Sequence, residues 1–163
     1  IGNIRIVQNN NFWKIESDNP AYCDYQMALQ YIQEATNSQH KEESFFYDLL
    51  ELLFYGPLLP NTQLDWLDNF KSDYSCATID LLNELLKKEE FLHNDKFRLQ
   101  IAETIFSHDI LNEEALQVKC TLLYNSGKKG IAKNTYDNFC KEYHTLLGVE
   151  YNIPFSQIIH ANE

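Results

Sequence analysis

No two cysteines in this chain are spaced as Cys-x-x-Cys, which argues against a zinc site. Cys23, Cys76, Cys120 and Cys140 each fall in a helix-like pattern among apolar residues. They read as buried free thiols of a cytosolic protein, packing as small hydrophobes. Basic residues are scarce: 13 Lys and Arg stand against 24 Asp and Glu, a net charge of −11. A phosphate-binding surface needs clustered cations to displace counterions. Lys87-Lys88 and Lys128-Lys129 are too short to supply one, so the chain is not expected to hold nucleic acid alone. No apolar run approaches the about 20 residues that span a bilayer, and no signal peptide is visible. A cytoplasmic protein without a membrane partner is the expectation.

Catalytic signatures are missing too. There is no GxGxxG, P-loop or GxSxG. His40, His93, His108, His144 and His160 are scattered and form no ligand pair. Glu42-Glu43, Glu89-Glu90 and Glu113-Glu114 are adjacent in sequence, so their side chains diverge around a helix and do not act on one substrate. The expectation is a chain with no catalytic residues, no metal and no cofactor.

What is present is enough for a core: 163 residues, 44% of them hydrophobic, fit one domain or a small domain with an appendage. The first residues are Ile-Gly-Asn, with no initiator Met, which predicts a piece of a longer protein. Residues 3–16 read as a β-hairpin. Ile4 and Ile6 flank Arg5, Trp13 and Ile15 flank Lys14, and Asn9-Asn10-Asn11 supplies a turn. A lone hairpin is marginal in water and needs a surface to pack on.

After the break at Ser17-Asp18-Asn19-Pro20 the period changes to that of a helix. Tyr25, Ala28, Leu29, Ile32 and Ala35 form one stripe, ended by Asn37-Ser38. Phe45, Phe46, Leu49, Leu50, Leu53 and Phe54 form a second. Gly56-Pro57-Leu58-Leu59-Pro60 ends it, since proline cannot continue a helix. Thr62 with Asp65 resembles a capping box. It opens a long helix to about Lys88, with Leu67, Phe70, Tyr74, Ala77, Leu81 and Leu85 as its buried stripe. His93-Asn94-Asp95 is a turn, and Phe97, Ile101 and Ile105 mark the next helix, closed by His108-Asp109. Asn112 caps a helix with Glu113 and Glu114 in its first turn. Ser126-Gly127 stops it. The last long helix carries Ile131-Ala132, Tyr136, Phe139-Cys140, Tyr143 and Leu146-Leu147, and Gly148 is its left-handed stop. Pro154, Phe155 and Ile158-Ile159 suit a final turn that packs back. The predicted fold is all-α, about six helices in antiparallel pairs behind a short hairpin. Its units are residues 1–18 for the hairpin and 19–163 for the helical domain.

Residues 109–149 have the form of one tetratricopeptide-like unit, which is about 34 residues long. With Gly127 as the turn glycine, the small crossing residues are Cys120 and Ala132, and Tyr136 takes the large aromatic position. One unit earlier the pattern is degraded: Ala102 is small, but His93 replaces the turn glycine and Arg98 a small residue. In this register the inner face of the last unit shows Glu114, Gln117, Thr121, Tyr124 and Asn125, the candidate partner-binding residues. The alternative is an ordinary solvated face.

The stretch from Phe54 and Tyr55 through Gly56-Pro57-Leu58-Leu59-Pro60 to Trp66-Leu67 resembles the middle of the bacterial transcriptional activator domain. That module follows the winged-helix DNA-binding domain in regulators of the Streptomyces antibiotic regulatory protein type. His108 through Ala115, then Ser126-Gly127, Ala132, Tyr136 and Leu147-Gly148-Val149-Glu150 continue in that family's order. The resemblance covers about residues 22–159. Ile110 departs from the family's usual Pro, Phe139 fills a usually smaller position, and the Pro after Leu-Gly-Val-Glu is displaced to Pro154.

The resemblance implies a non-catalytic regulatory domain that acts by self-association or protein contact on an upstream DNA-binding domain. On that view the hairpin is the last part of a wing; otherwise it is a β-cap on the helical bundle. Two other functional readings are a generic repeat scaffold unconnected with transcription, and a small-molecule sensor with Trp66, Phe70 and Tyr74 at an aromatic pocket. Those three residues are expected first as core.

Overall fold

The computed structural model describes residues 4–10, 12–18, 22–37 and 42–160. Asn11 of the expected turn, Asn19-Pro20 of the expected break, Ser38 and His40 lie outside the described residues, as do the side chains of Ile4, Phe12, Trp13 and Ile15. Strands β1 (Ile4–Asn9) and β2 (Phe12–Ser17) form an antiparallel hairpin. Its register pairs Ile6 with Ile15 and Gln8 with Trp13. Asn10 sits in the turn at φ 54°, a left-handed conformation that asparagine tolerates. Arg5 reaches Asp18 at 3.2 Å, and Lys14 reaches Glu16 at 3.3 Å.

Seven α-helices follow among the described residues: α1 Asp24–Asn37, α2 Glu43–Leu53, α3 Asp65–Lys87, α4 Asp95–His108, α5 Glu113–Asn125, α6 Lys129–Leu147 and α7 Phe155–His160. A 3-10 turn, Glu89–Phe91, joins α3 to α4. The chain is mostly helical, as the apolar periodicity predicts, and the expected terminal turn is the short helix α7.

Cap chemistry sets several boundaries. The Asn94 side-chain oxygen accepts from the Phe97 amide at 3.1 Å, and that of Asn112 from the Ala115 amide at 3.0 Å. Each satisfies an amide that the first helical turn leaves without a partner. At the end of α5, Gly127 has φ 80°, and the Lys128 amide donates to the Leu123 carbonyl at 2.9 Å. This is a Schellman ending, which needs a left-handed residue. Gly148 ends α6 at φ 71°. Thr62 does not cap α3: Leu64 takes that position with no side-chain bond, and the Thr62 carbonyl instead accepts from the Lys71 ammonium.

Two apolar clusters hold the molecule together. The larger joins α1 to α4 around Phe46, Leu49, Leu50, Leu53, Leu82, Leu85, Phe97, Ile101 and Ile105, all fully buried. Each such side chain contributes about 1.5–3 kcal/mol relative to exposure. Phe91 packs edge-on to Phe46 at 5.3 Å and against Phe97 at 4.6 Å. The smaller joins α5, α6 and α7 through Leu116, Cys120, Phe139 and Ile158. Phe106 touches both clusters. Packing runs along the chain: α1 meets α2 and α3, α3 meets α4, α4 meets α5, and α5 meets both α6 and α7.

The expected stripes fail at their ends. Phe54 lies beyond α2 and is exposed, and Leu146 and Leu147 are exposed at the end of α6. Phe70 leaves the α3 stripe and meets the Trp66 ring at 6.4 Å. Of the four thiols only Cys120 is buried; Cys140 is half-buried, and Cys23 and Cys76 are exposed. Cys23 precedes α1, and Cys76 falls on the outward side of α3, so apolar sequence neighbours did not mean a shared face.

Candidate interaction surfaces

Cys120 of α5 and Ala132 of α6, the two small residues expected at the helix crossing, are in contact. Both are fully buried, and the Cys120 Sγ lies 3.5 Å from the Ala132 carbonyl oxygen. Burial pushes this thiol up to about 12, so it stays protonated and packs instead of reacting.

The candidate partner-binding residues on α5 do not form one open face. Glu114 is exposed and pairs with Lys87 of α3 at 3.3 Å. Asn125 is exposed at the other end, and Gln117 is half-buried between them. Thr121 and Tyr124 are engaged by the chain's own C-terminus. The Thr121 hydroxyl donates to the Ile158 carbonyl at 3.2 Å, and the Tyr124 ring meets Phe155 at 6.2 Å. Lys129 stands over the same Tyr124 ring at 4.8 Å.

Aromatic residues fasten α7 in place. The Tyr136 hydroxyl donates to the Ile153 carbonyl at 2.8 Å, and its ring lies 5.5 Å from Phe155. Tyr151 packs on Phe139 at 4.9 Å and on Tyr143 at 5.1 Å, and its hydroxyl donates to Glu113 at 3.4 Å. Burial first, then neighbouring Cys140 and Asp137, pushes the Tyr136 hydroxyl up to about 12. Burial, then Glu113, raises Tyr151 as well. Both phenols therefore remain donors at neutral pH.

A second surface surrounds the Gly56–Pro60 loop. Gly56 has φ 84°, and Leu59 is left-handed at φ 44°. For a residue with a branched side chain this costs on the order of 1 kcal/mol. Behind the loop lies a cavity of about 220 Å³ lined by Tyr25, Leu52, Tyr55 and Tyr74 among others. Tyr74 is buried and meets Tyr25 edge-on at 5.4 Å. Burial, then Asp24, pushes its hydroxyl up to about 12. Neither Trp66 nor Phe70 lines this cavity; they are 66% and 51% exposed. The expectation that all three are core is corrected: Tyr74 is core, and the other two are surface. The first turns of α3 project past the α1–α4 cluster, so only Leu67 there is covered. Phe54, Tyr55, Leu59 and Leu64 are exposed as well, so six large apolar side chains between residues 54 and 70 face solvent.

His108 closes this region from behind. Its Nδ1 lies 3.2 Å from the Ser75 hydroxyl, and its ring is 5.5 Å from Tyr74. Burial lowers its pKa, and the nearby Leu53 backbone opposes that; its Nε2 is buried without a hydrogen-bond partner.

Two further depressions carry charge. One of about 510 Å³ lies between α3 and the start of α5, lined by Asp80, Asn83, Glu84, Lys87, Glu113 and Glu114. The other, of about 430 Å³, lies between α2 and α4, lined by Tyr47, Asp48, Glu51, Phe54, Tyr55 and Gln100. Sequence reading missed the second. Its signal was the i, i+3 spacing of Asp48 and Glu51 beside aromatics on α2, the outer face of a helix read only for its apolar stripe.

Among the described residues no group of three or more His, Cys, Asp and Glu is placed to hold a metal ion. No helix there is long and apolar enough to cross a membrane. Compared with protein-family models, with curated proteins and with solved structures, the chain matched none.

Proposed function

We propose that this chain is a non-catalytic regulatory domain of a bacterial, cytoplasmic transcriptional regulator. It builds tetratricopeptide-like helix pairs and acts by self-association or protein contact on a DNA-binding domain elsewhere in the full protein. The observation that carries this reading is the exposed run Phe54, Tyr55, Leu59, Leu64, Trp66 and Phe70 around the Gly56–Pro60 loop. Where exposed apolar side chains gather they mark an interaction site, and these six fall within the stretch that resembles the activator-domain family. The contact of Cys120 with Ala132 supports the register of the last pair. The hairpin adds a second argument: Ile6 is 69% exposed, so this apolar side chain is open to a neighbour.

Light scattering across a concentration series tests the proposal. The expected result is a mass that rises toward the dimer for the wild type, and a monomer for Trp66→Ser/Phe70→Ser. Both positions are exposed, so the double variant keeps its fold. A wild type that stays monomeric throughout removes self-association.

A further inference from the structure

We infer that the notch between α2 and α4 is a docking site for a basic, arginine-bearing segment of a partner protein. This deepens the protein-interaction reading above and rests on it. Tyr47, Phe54 and Tyr55 supply aromatic walls, Gln100 of α4 supplies an amide, and Asp48 and Glu51 stand one turn apart at the rim. Neither carboxylate has a hydrogen bond or ion pair among the described residues. Phe54 and Tyr55 are 62% and 78% exposed. A guanidinium suits this combination, because it pairs with carboxylates through its flat fork and stacks on aromatic faces at the same time.

The surrounding charge selects the same partner. Residues 15–70 contain ten Asp and Glu and one basic residue, Lys41, so this stretch holds −9 of the chain's −11. Helices α1 and α2 carry no Lys or Arg at all. The facing helix carries two cations, Lys96 and Arg98; neither lines the notch, and neither makes an ion pair among the described residues. The other acidic depression differs on this point. There Lys87 stands inside and pairs with Glu114, so one of its carboxylates already has a cation, and aromatic walls are missing from its lining. A field of one sign around an aromatic notch steers an oppositely charged segment and rejects an acidic one.

Fluorescence anisotropy at about 150 mM salt tests this with a labelled peptide of alternating Arg and Leu. The same peptide with Glu for Arg is one control, and spermine as competitor is another. The wild type should bind the arginine peptide and ignore the glutamate one. Asp48→Asn/Glu51→Gln should weaken binding about tenfold or more, and Phe54→Ser/Tyr55→Ser should do the same. Asp65→Asn/Asp68→Asn, acidic positions in the same half but outside the notch, should stay within about twofold. All six substituted positions are exposed, and circular dichroism confirms the fold of each variant. The inference is overturned if the wild type does not bind, if the two acidic pairs cost the same, or if spermine displaces the peptide at comparable concentration. The last outcome would make the notch a small-cation site. A wild type that self-associates yet ignores the peptide overturns this inference and leaves the broader reading standing.

Discussion

His108 shows how one side chain links sequence to the behaviour of a whole region. It ends α4, yet its ring is packed against Tyr74 and Ser75 of α3 and beneath the end of α2. Burial favours the neutral ring, so the folded pKa falls below the ordinary 6.5. The unfolded chain then binds the proton more readily than the folded one. Stability is therefore fully present above 6.5 and is lost as pH falls from there through the folded value. Urea melts at a series of pH values should show that decline, and His108→Gln should flatten it. A wild-type midpoint constant from pH 7 to 5 would remove His108 from this role. Sequence reading placed His108 at a helix end correctly, but a lone histidine carries no sign of which neighbours will bury it. The same limit explains Phe70. Its spacing fits the α3 stripe, but the helix begins before its neighbours can cover it.

At the scale of elements, boundaries were the most legible feature. Asn112, Gly127 and Gly148 act through local backbone chemistry, and the structure puts each where its chemistry requires. The Cys120–Ala132 contact was readable for a similar reason, since only small residues allow two helices to approach so closely. The seat of α7 was not readable. It depends on a return of the chain over α5 that no local pattern encodes, and it covers Thr121 and Tyr124 of the candidate face. Ile158 is the buried anchor of that seat, beside Leu116, Cys120 and Phe139. Ile158→Ala should cost about 2–5 kcal/mol at a buried site, toward the lower end for a terminal helix that can shift to fill the space. Chemical denaturation measures this. A loss below about 0.5 kcal/mol, the range of surface substitutions, would mean that α7 is not a working part of the core.

At the scale of the molecule, two clusters meet through Phe106 and the α4–α5 contact, so the helices form one continuous stack. The fold class was legible because period-3.6 patterns recur from residue 24 onward. The surfaces were only partly so: apolar spacing points inward by default, and exposed rings such as Phe54 and Trp66 keep the same spacing. Net negative charge and exposed aromatics gather in the first half, while α5 and α6 seat α7.

The proposed function places an interface at Trp66. Trp13 and Trp66 are the only tryptophans, so in a Trp13→Phe background the emission of Trp66 reports on that surface alone. Trp66 emission should shift to the blue, and acrylamide quenching should fall, over the concentrations at which the mass rises. A Trp66 spectrum that stays water-exposed while the mass rises would contradict it.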